Sequence, residues 1–281
     1  MKLIPLETGN FKSDGGAMFG VVPKILWSKL IEPDQNNLIP MKSRSLLIDT
    51  GKNKILIDTG ISTLPGEKYT KINHITFEQG TLLENLKVHG YDPEEITDII
   101  YTHLHHDHCG NFISNSENQI QINFPNARIW LSKQHFLTIK NPNIRERAAF
   151  IPEYINPILS SSKLNLITND TELFHDIFVK IHNGHTQGLM TVYIKHNTRW
   201  IFFASDFFPT SHHIYEPYIM SYDMCAEKTL KEKHEFFRWA ADKDVCVFLQ
   251  HDFQYECATI KETEKGHKAD KKFSLEQWLS M

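Results

Sequence analysis

An α/β sandwich is the fold class predicted for this chain of 281 residues. Short apolar runs of strand length recur along it, and amphipathic helical stretches lie among them without alternating one for one. No Gly/Ser linker, low-complexity tract or repeat array divides the sequence. Strands and helices interspersed in this way argue for layered sheets and helices, not for a regular βαβ repeat. A hydrophobic share of 41% and a charged share of 23% are ordinary for a globular protein. One domain over residues 1–281 is the expected organisation, with a core large enough to need no disulfides.

The elements follow in order. Residues 9–40 are rich in Gly, Pro and polar residues without a sustained period, so a long loop region is expected there. Leu-Ile-Asp-Thr-Gly stands at 47–51 and again at 56–60, and the two copies read as a β-hairpin: strands 44–49 and 54–58 around Gly51-Lys52-Asn53. Residues 76–88 read as a helix with Phe77, Leu82 or Leu83, and Leu86 on one side. A stronger helix over 223–241 is opened by Asp223 and rich in Glu, Lys and Ala, its charges at 227–235 forming a solvated face. Apolar runs at 96–101, 128–131, 177–182, 189–194, 199–204 and 244–249 read as strands.

Composition excludes several classes. A formal net charge of −4 argues against bulk-charge binding of nucleic acid. No run approaches the ~18 apolar residues of a membrane helix. Pro5 and Glu7 interrupt the N-terminus where a signal peptide would be apolar, so a cytoplasmic location is expected. The four cysteines (109, 225, 246 and 257) lack Cys-x-x-Cys spacing and read as reduced, mostly buried thiols. Cys109 in particular reads as a small buried residue.

The chemical signal lies in histidine. Thr102-His103-Leu104-His105-His106-Asp107-His108 follows the 96–101 strand directly and holds four potential ligands at i, i+2, i+4 and i+5. In an extended segment His103 and His105 point to one side, and a turn can bring Asp107 and His108 to a neighbouring position. His106 then points away and packs. Three other strands run into potential ligands: His185 after 177–182, Asp206 after 199–204, and His251 after 244–249. Brought to one edge, they would give His103, His105 and His185 to one ion and Asp107, His108 and His251 to another, with Asp206 between them. Nitrogen and carboxylate donors without cysteine suit two Zn²⁺ ions, and also admit Mn²⁺, Fe²⁺ or Co²⁺.

These residues carry a family resemblance. His-x-His-x-Asp-His at 103–108, Gly-His-Thr at 184–186, Ser-Asp at 205–206 and His251 resemble the metallo-β-lactamase superfamily in order and spacing, over nearly the whole chain. The resemblance implies an αββα sandwich of two mixed sheets flanked by helices, with a dinuclear site at one edge. It also implies that Asp58 of the strand-end Asp-Thr-Gly orients a ligand imidazole. Asp14-Gly15-Gly16-Ala17-Met18-Phe19-Gly20-Val21-Val22-Pro23-Lys24 is similar to the N-terminal segment of a YtnP-like lactonase branch. Phe124-Pro125-Asn126-Ala127, Asp206-Phe207-Phe208-Pro209-Thr210 and Tyr222-Asp223 are similar to it too. Methyl parathion hydrolase-like phosphotriesterases look closely related. One departure stands out: N-acyl homoserine lactonases place a tyrosine three residues after the bridging aspartate, and here that position is Pro209. Tyr215 or His213 would have to take its part.

The activity so implied is hydrolysis by water whose pKa two divalent ions lower, with Asp107 positioning it and passing its proton to the leaving group. The leading substrates are N-acyl homoserine lactones. Met18, Phe19, Phe207, Phe208 and His213 are the candidate substrate contacts, an apolar wall for a small molecule with an apolar tail. A phosphotriesterase or aryl-ester hydrolase is the alternative on the same scaffold. A metal-bound regulatory protein with vestigial activity is a third reading. A β-lactamase is disfavoured by the lack of a signal peptide, a nuclease by charge, and a diiron redox enzyme by length. Neither nucleic acid nor membrane is an expected partner, and a homodimer is compatible with the sequence.

Overall fold

A computed structural model of the chain describes residues 1–64, 66–116, 119–241 and 243–281. The first half lays down β1 (Lys2–Asp14), α1 (Gly15–Phe19), α2 (Lys24–Trp27), β2 (Leu38–Asp49), β3 (Lys54–Ile57), α3 (Glu67–Ile72) and α4 (Leu82–Val88). There follow β4 (Asp98–Ile100), β5 (Ile113–Ser116), β6 (Gln119–Ile122), β7 (Arg128–Ser132), α5 (Lys133–Lys140), α6 (Pro152–Leu159) and β8 (Leu164–Ile167). The remainder holds β9 (Thr171–Phe174), β10 (Ile177–His182), β11 (Leu189–His196), β12 (Arg199–Phe203), α7 (Ala226–Ala241), β13 (Val245–Phe248), β14 (Cys257–Thr263), β15 (Gly266–Phe273) and α8 (Leu275–Leu279). The α/β class with mixed sheets is the one expected. No described helix is long and apolar enough to cross a membrane.

The residues divide into two compact units. The first comprises Met1–Phe11 and Lys42–Thr168. Its sheet has the strand order β1-β2-β3-β4-β7-β8. The expected hairpin is there: β2 and β3 are antiparallel, with Leu46 opposite Ile57 and Asp49 opposite Lys54. β3, β4, β7 and β8 then run parallel. Parallel neighbours are buried on both faces, which explains the unbroken apolar runs Ile55-Leu56-Ile57 and Ile99-Ile100. Leu47, Leu56, Ile99 and Ile129 share one core with Leu86 of α4 and Tyr154 and Ile158 of α6.

The second unit comprises Lys12–Met41 and Asn169–Met281. Its sheet has the order β15-β14-β13-β12-β11-β10-β9. Only β12 and β13 pair in parallel, Phe203 opposite Phe248; the other neighbours are antiparallel. Phe202, Phe207 and Phe208 pack with Phe236 and Phe237 of α7 as a buried aromatic cluster.

Several expectations need correction. Residues 9–40 are not one long loop: β1 continues to Asp14, two short helices follow, and β2 begins at Leu38. Asp14 caps α1 by accepting from the Ala17 N–H at 2.7 Å. The helix expected over 76–88 begins at Leu82. Thr76 bonds Asn10 across a β-bridge, Gly80 has φ +85°, and Thr81 and Glu84 form a capping box that sets the start. The helix expected from Asp223 begins at Ala226, because Asp223 is committed to His185. Its Lys/Glu face is mostly solvated, but Lys233 is buried and its ammonium donates to the carbonyls of Tyr215, Glu216 and Tyr218 at 3.1, 3.3 and 2.9 Å. Burial lowers its pKa to about 7. The cysteines are free, and 109, 246 and 257 are buried, as expected.

Candidate metal centre

In the first unit the donors stand on the loop leaving β4. His103 lies three residues beyond Ile100, where the strand ends. Asp58 lies one residue beyond β3, beside it in the parallel pair. Its carboxylate is fully buried and accepts from the Thr102 N–H and hydroxyl, both at 2.8 Å, and from His108 Nδ1 at 3.0 Å. His108 is thereby held with Nε2 unprotonated. Thr102 gives its hydroxyl proton to Asp58, so it accepts from His103 Nδ1 at 3.1 Å, and His103 likewise keeps Nε2 as a lone pair. His105 has the opposite setting. Its Nε2 donates to Glu146 at 3.3 Å, leaving Nδ1, which faces His103 Nε2 at 3.0 Å. Two ligand nitrogens on one tetrahedral zinc stand about 3.3 Å apart, given bonds of ~2.0–2.1 Å. Two lone pairs facing at this distance suit a shared cation.

The loop is held by the backbone. The N–H groups of Thr59 and Gly60 donate to the His108 carbonyl, and Gly110 donates to the Gly60 carbonyl. Gly60 has φ +64°, and a Cβ there would sit 2.0 Å from Thr8 Oγ1, so only glycine fits. His135 Nε2 accepts from the Leu104 N–H at 2.9 Å. Cys109 is buried, its thiol donating to the His105 carbonyl at 3.4 Å, and burial pushes its pKa well up, so it offers no thiolate. His106 turns to the Tyr69 hydroxyl at 2.7 Å, in keeping with a packing role.

In the second unit one geometric rule places all three donors. β10, β12 and β13 run in the same direction, and His185, Asp206 and His251 each lie three residues beyond their last residues, His182, Phe203 and Phe248. The three are buried. Asp206 divides its oxygens: Oδ2 is 3.2 Å from His185 Nε2, and Oδ1 is 3.0 Å from His251 Nε2. His185 Nδ1 donates to Asp223 at 2.9 Å. Burial disfavours charge on His185, yet Asp206 and Asp223 outweigh it and raise its pKa to about 10. A divalent cation in place of that proton would satisfy the same two carboxylates. Gly184 permits the approach of α7, since a Cβ would lie 2.3 Å from Thr229 Oγ1.

The donors expected from sequence, His103, His105, Asp107, His108, His185, Asp206 and His251, are the metal-capable side chains found among the described residues. The imidazoles of His103, His105, His108 and His185 each have one nitrogen tied to an oxygen acceptor and the other left as donor, the usual arrangement behind metal-bound histidine. The donor set therefore fits divalent ions. Three supporting residues were not visible in the sequence. Glu146 and His135 carry no local signal, and Asp223 reads as a helix opener.

The proposed substrate contacts are core residues, and that expectation is corrected. Phe19 is fully buried, stacked on Trp27 at 5.5 Å and on His213 at 4.9 Å. His213 donates to the Met18 carbonyl at 2.8 Å and meets the Thr210 hydroxyl at 2.7 Å, so both nitrogens are used; burial lowers its pKa to about 3. Met18 is 4% exposed, Phe207 3% and Phe208 1%. Aromatic side chains with no polar partner of their own contribute more inside than beside a polar site. Phe19→Ala is therefore expected to lower stability by about 3–5 kcal/mol. A urea melt checks it, and relative rates across substrate chain lengths should not change.

A family model described as the metallo-beta-lactamase superfamily matches residues 38–222. No curated protein matches the chain. Among solved structures, the chain is similar to a probable metal-dependent hydrolase from Staphylococcus aureus, at 26% identity and TM-score 0.86, covering 97% of this chain and 96% of that one. It is also similar to AidC, a dizinc quorum-quenching lactonase in complex with a hexanoyl-homoserine product, at 23% identity and TM-score 0.75, covering 95% and 93%. A hydrolase of the beta lactamase superfamily, AbOPH, is similar at 22% identity and TM-score 0.76, covering 95% and 92%.

Proposed function

This chain belongs to the metallo-beta-lactamase superfamily, and on that premise we propose that it is a dinuclear metal-dependent hydrolase of lactone or ester bonds. In this reading His103, His105 and His185 would hold one ion and Asp107, His108 and His251 the other, with Asp206 available to both. The observation that carries it is the division of the Asp206 carboxylate between His185 and His251, one oxygen to each. When bound, the two ions supply Lewis acidity and an activated water. The chain supplies the rest. Asp58, Thr102, Glu146 and Asp223 fix which nitrogen of each imidazole is free. Asp107 orients the water through a carboxylate oxygen, takes its proton and passes it to the departing oxygen.

N-acyl homoserine lactones lead the substrate reading, supported by the ligand pattern and by the branch-like segments around Asp14–Lys24 and Asp206–Thr210. Burial of Phe19, Phe207 and Phe208 withdraws the apolar wall expected for the acyl tail, which favours keeping the aryl-ester and phosphotriester reading beside it. The test is a metal-replete assay on lactones, aryl esters and phosphotriesters with a chelator control, paired with elemental analysis. Close to two metal ions per chain and chelator-sensitive lactone hydrolysis are expected. Saturation at one ion, with His251→Ala unaffected, would overturn the dinuclear reading. Phosphotriester turnover without lactone turnover would overturn the substrate.

A further inference from the structure

A cavity of about 360 Å³ in the second unit is bounded by the β14–β15 hairpin and by the turn from Ser211 to Ile214. That volume lies within the range of small-molecule sites. Lys265, Lys268 and Lys272 line it, and no acidic side chain does. Three nearby carboxylates are committed elsewhere, while Glu262 and Glu264 of the same hairpin do not line the cavity. Asp270 pairs with Lys261, Glu216 accepts from the His267 N–H and from His267 Nδ1, and Asp252 accepts from the N–H groups of Ser211, Gln254 and Tyr255. Among the described residues none of the three ammonium groups forms a salt bridge, Lys272 lying over the Tyr255 ring at 5.0 Å, and on a chain of net charge −4 they form a local positive site.

The rest of the lining is of other kinds. Ser211 borders the same cavity but is buried, and it is turned toward the Asp252 carboxylate, which its N–H bonds at 2.9 Å. His212 also lines the cavity, and burial together with Lys272 lowers its pKa, so it faces the cavity as a neutral hydrogen-bonding group. The opposite character comes from Tyr215 and Tyr218, packed edge to face at 5.1 Å, and from Leu30. The site combines several cations, a neutral imidazole and an aromatic wall.

We propose that this cavity binds a small organic phosphate, with its phosphoryl oxygens on Lys265, Lys268 and Lys272 and its planar body against Tyr215, Tyr218 and Leu30. Three point charges match a dianion with several acceptor oxygens better than a single carboxylate. The site uses none of the proposed metal ligands.

Phenylphosphonate, a dianion that no hydrolase of esters cleaves, is the probe for titration calorimetry on the metal-loaded full chain. Salt-sensitive binding is expected, weakened at least ~10-fold in a Lys265→Ala, Lys268→Ala, Lys272→Ala triple variant of unchanged metal content, since each lysine removes one charge-assisted contact. Absence of binding to the unmodified chain would overturn the proposal. So would equal affinity in the triple variant, or binding lost on chelation alone, because the probe would then be sitting on the metal ions. Inorganic phosphate binding as tightly as phenylphosphonate would overturn the role of the aromatic wall.

Discussion

Asp107→Asn is expected to leave the chain folded yet to lower turnover, measured under saturating metal, by ~10²–10⁴-fold, the range of general acid–base catalysis. The substitution is isosteric, and the backbone there is held independently of the carboxylate. Ser43 donates its hydroxyl to the Asp107 carbonyl at 3.2 Å, and the His108 N–H closes a turn on the His105 carbonyl at 3.0 Å. What changes is chemistry. An amide has one neutral oxygen where the carboxylate has two anionic ones, and it cannot carry a proton from water to a leaving group. Asp107 Oδ1 stands 3.7 Å from His108 Nε2, so ligation weakens as well. His106→Ala is the control. His106 Nδ1 meets the Tyr69 hydroxyl at 2.7 Å and stands 3.8 Å from Asp107 Oδ1, beyond hydrogen-bond reach, and its N–H bonds the Ala149 carbonyl, so it is not placed to exchange a proton with Asp107. Its loss should cost less than ~10-fold. Measuring kcat and metal content on both variants decides it; equal losses in two folded, loaded proteins would mean that Asp107 is not the proton carrier.

Asp58→Ala is the second large effect, and it reaches both stability and metal affinity. Removing this fully buried carboxylate strands three donors at once: the Thr102 N–H, the Thr102 hydroxyl and His108 Nδ1. Breaking a buried charged network in this way costs about 3–5 kcal/mol. The residue also adopts φ +57°, which an aspartate tolerates better than alanine. Freed from its acceptor, the His108 imidazole loses its fixed tautomer, and metal affinity should fall ~10–100-fold. Asp223→Ala separates the two effects. Its carboxylate serves His185 Nδ1, so affinity should fall comparably while the melt moves less. Chemical melts and competitive metal titration on both variants provide the readout. A full-strength metal site in Asp58→Ala would refute the orienting role.

The seven donors were legible for a local reason. His103 to His108 crowd into six residues, and His185, Asp206 and His251 each follow an apolar run by a fixed short interval. Strand apolarity was equally legible in the centre of both sheets, where neighbours bury both faces. Elements bordered by solvent were not. β14 and β15 include Lys261, Glu262, Lys268, Asp270 and Lys271 and show no apolar run, because strand pairing rather than side-chain burial forms them. The helix expected over 76–88 failed because Thr81, as a cap, outweighs an apolar period that continues on both sides of it.

Partners brought from far along the chain were decided by tertiary structure alone. Glu146 reaches His105 from 41 residues away, Asp223 reaches His185 from 38, and His213 reaches the Met18 carbonyl from 195. The sequence by itself determined which side chains can bind metal, because ligand chemistry is a property of residue type and short spacing. Only the folded chain decided which nitrogen each imidazole presents, that Lys233 lies inside, and that Phe19, Phe207 and Phe208 are core. Those outcomes depend on burial and on hydrogen-bond acceptors, and both arise only when remote segments pack.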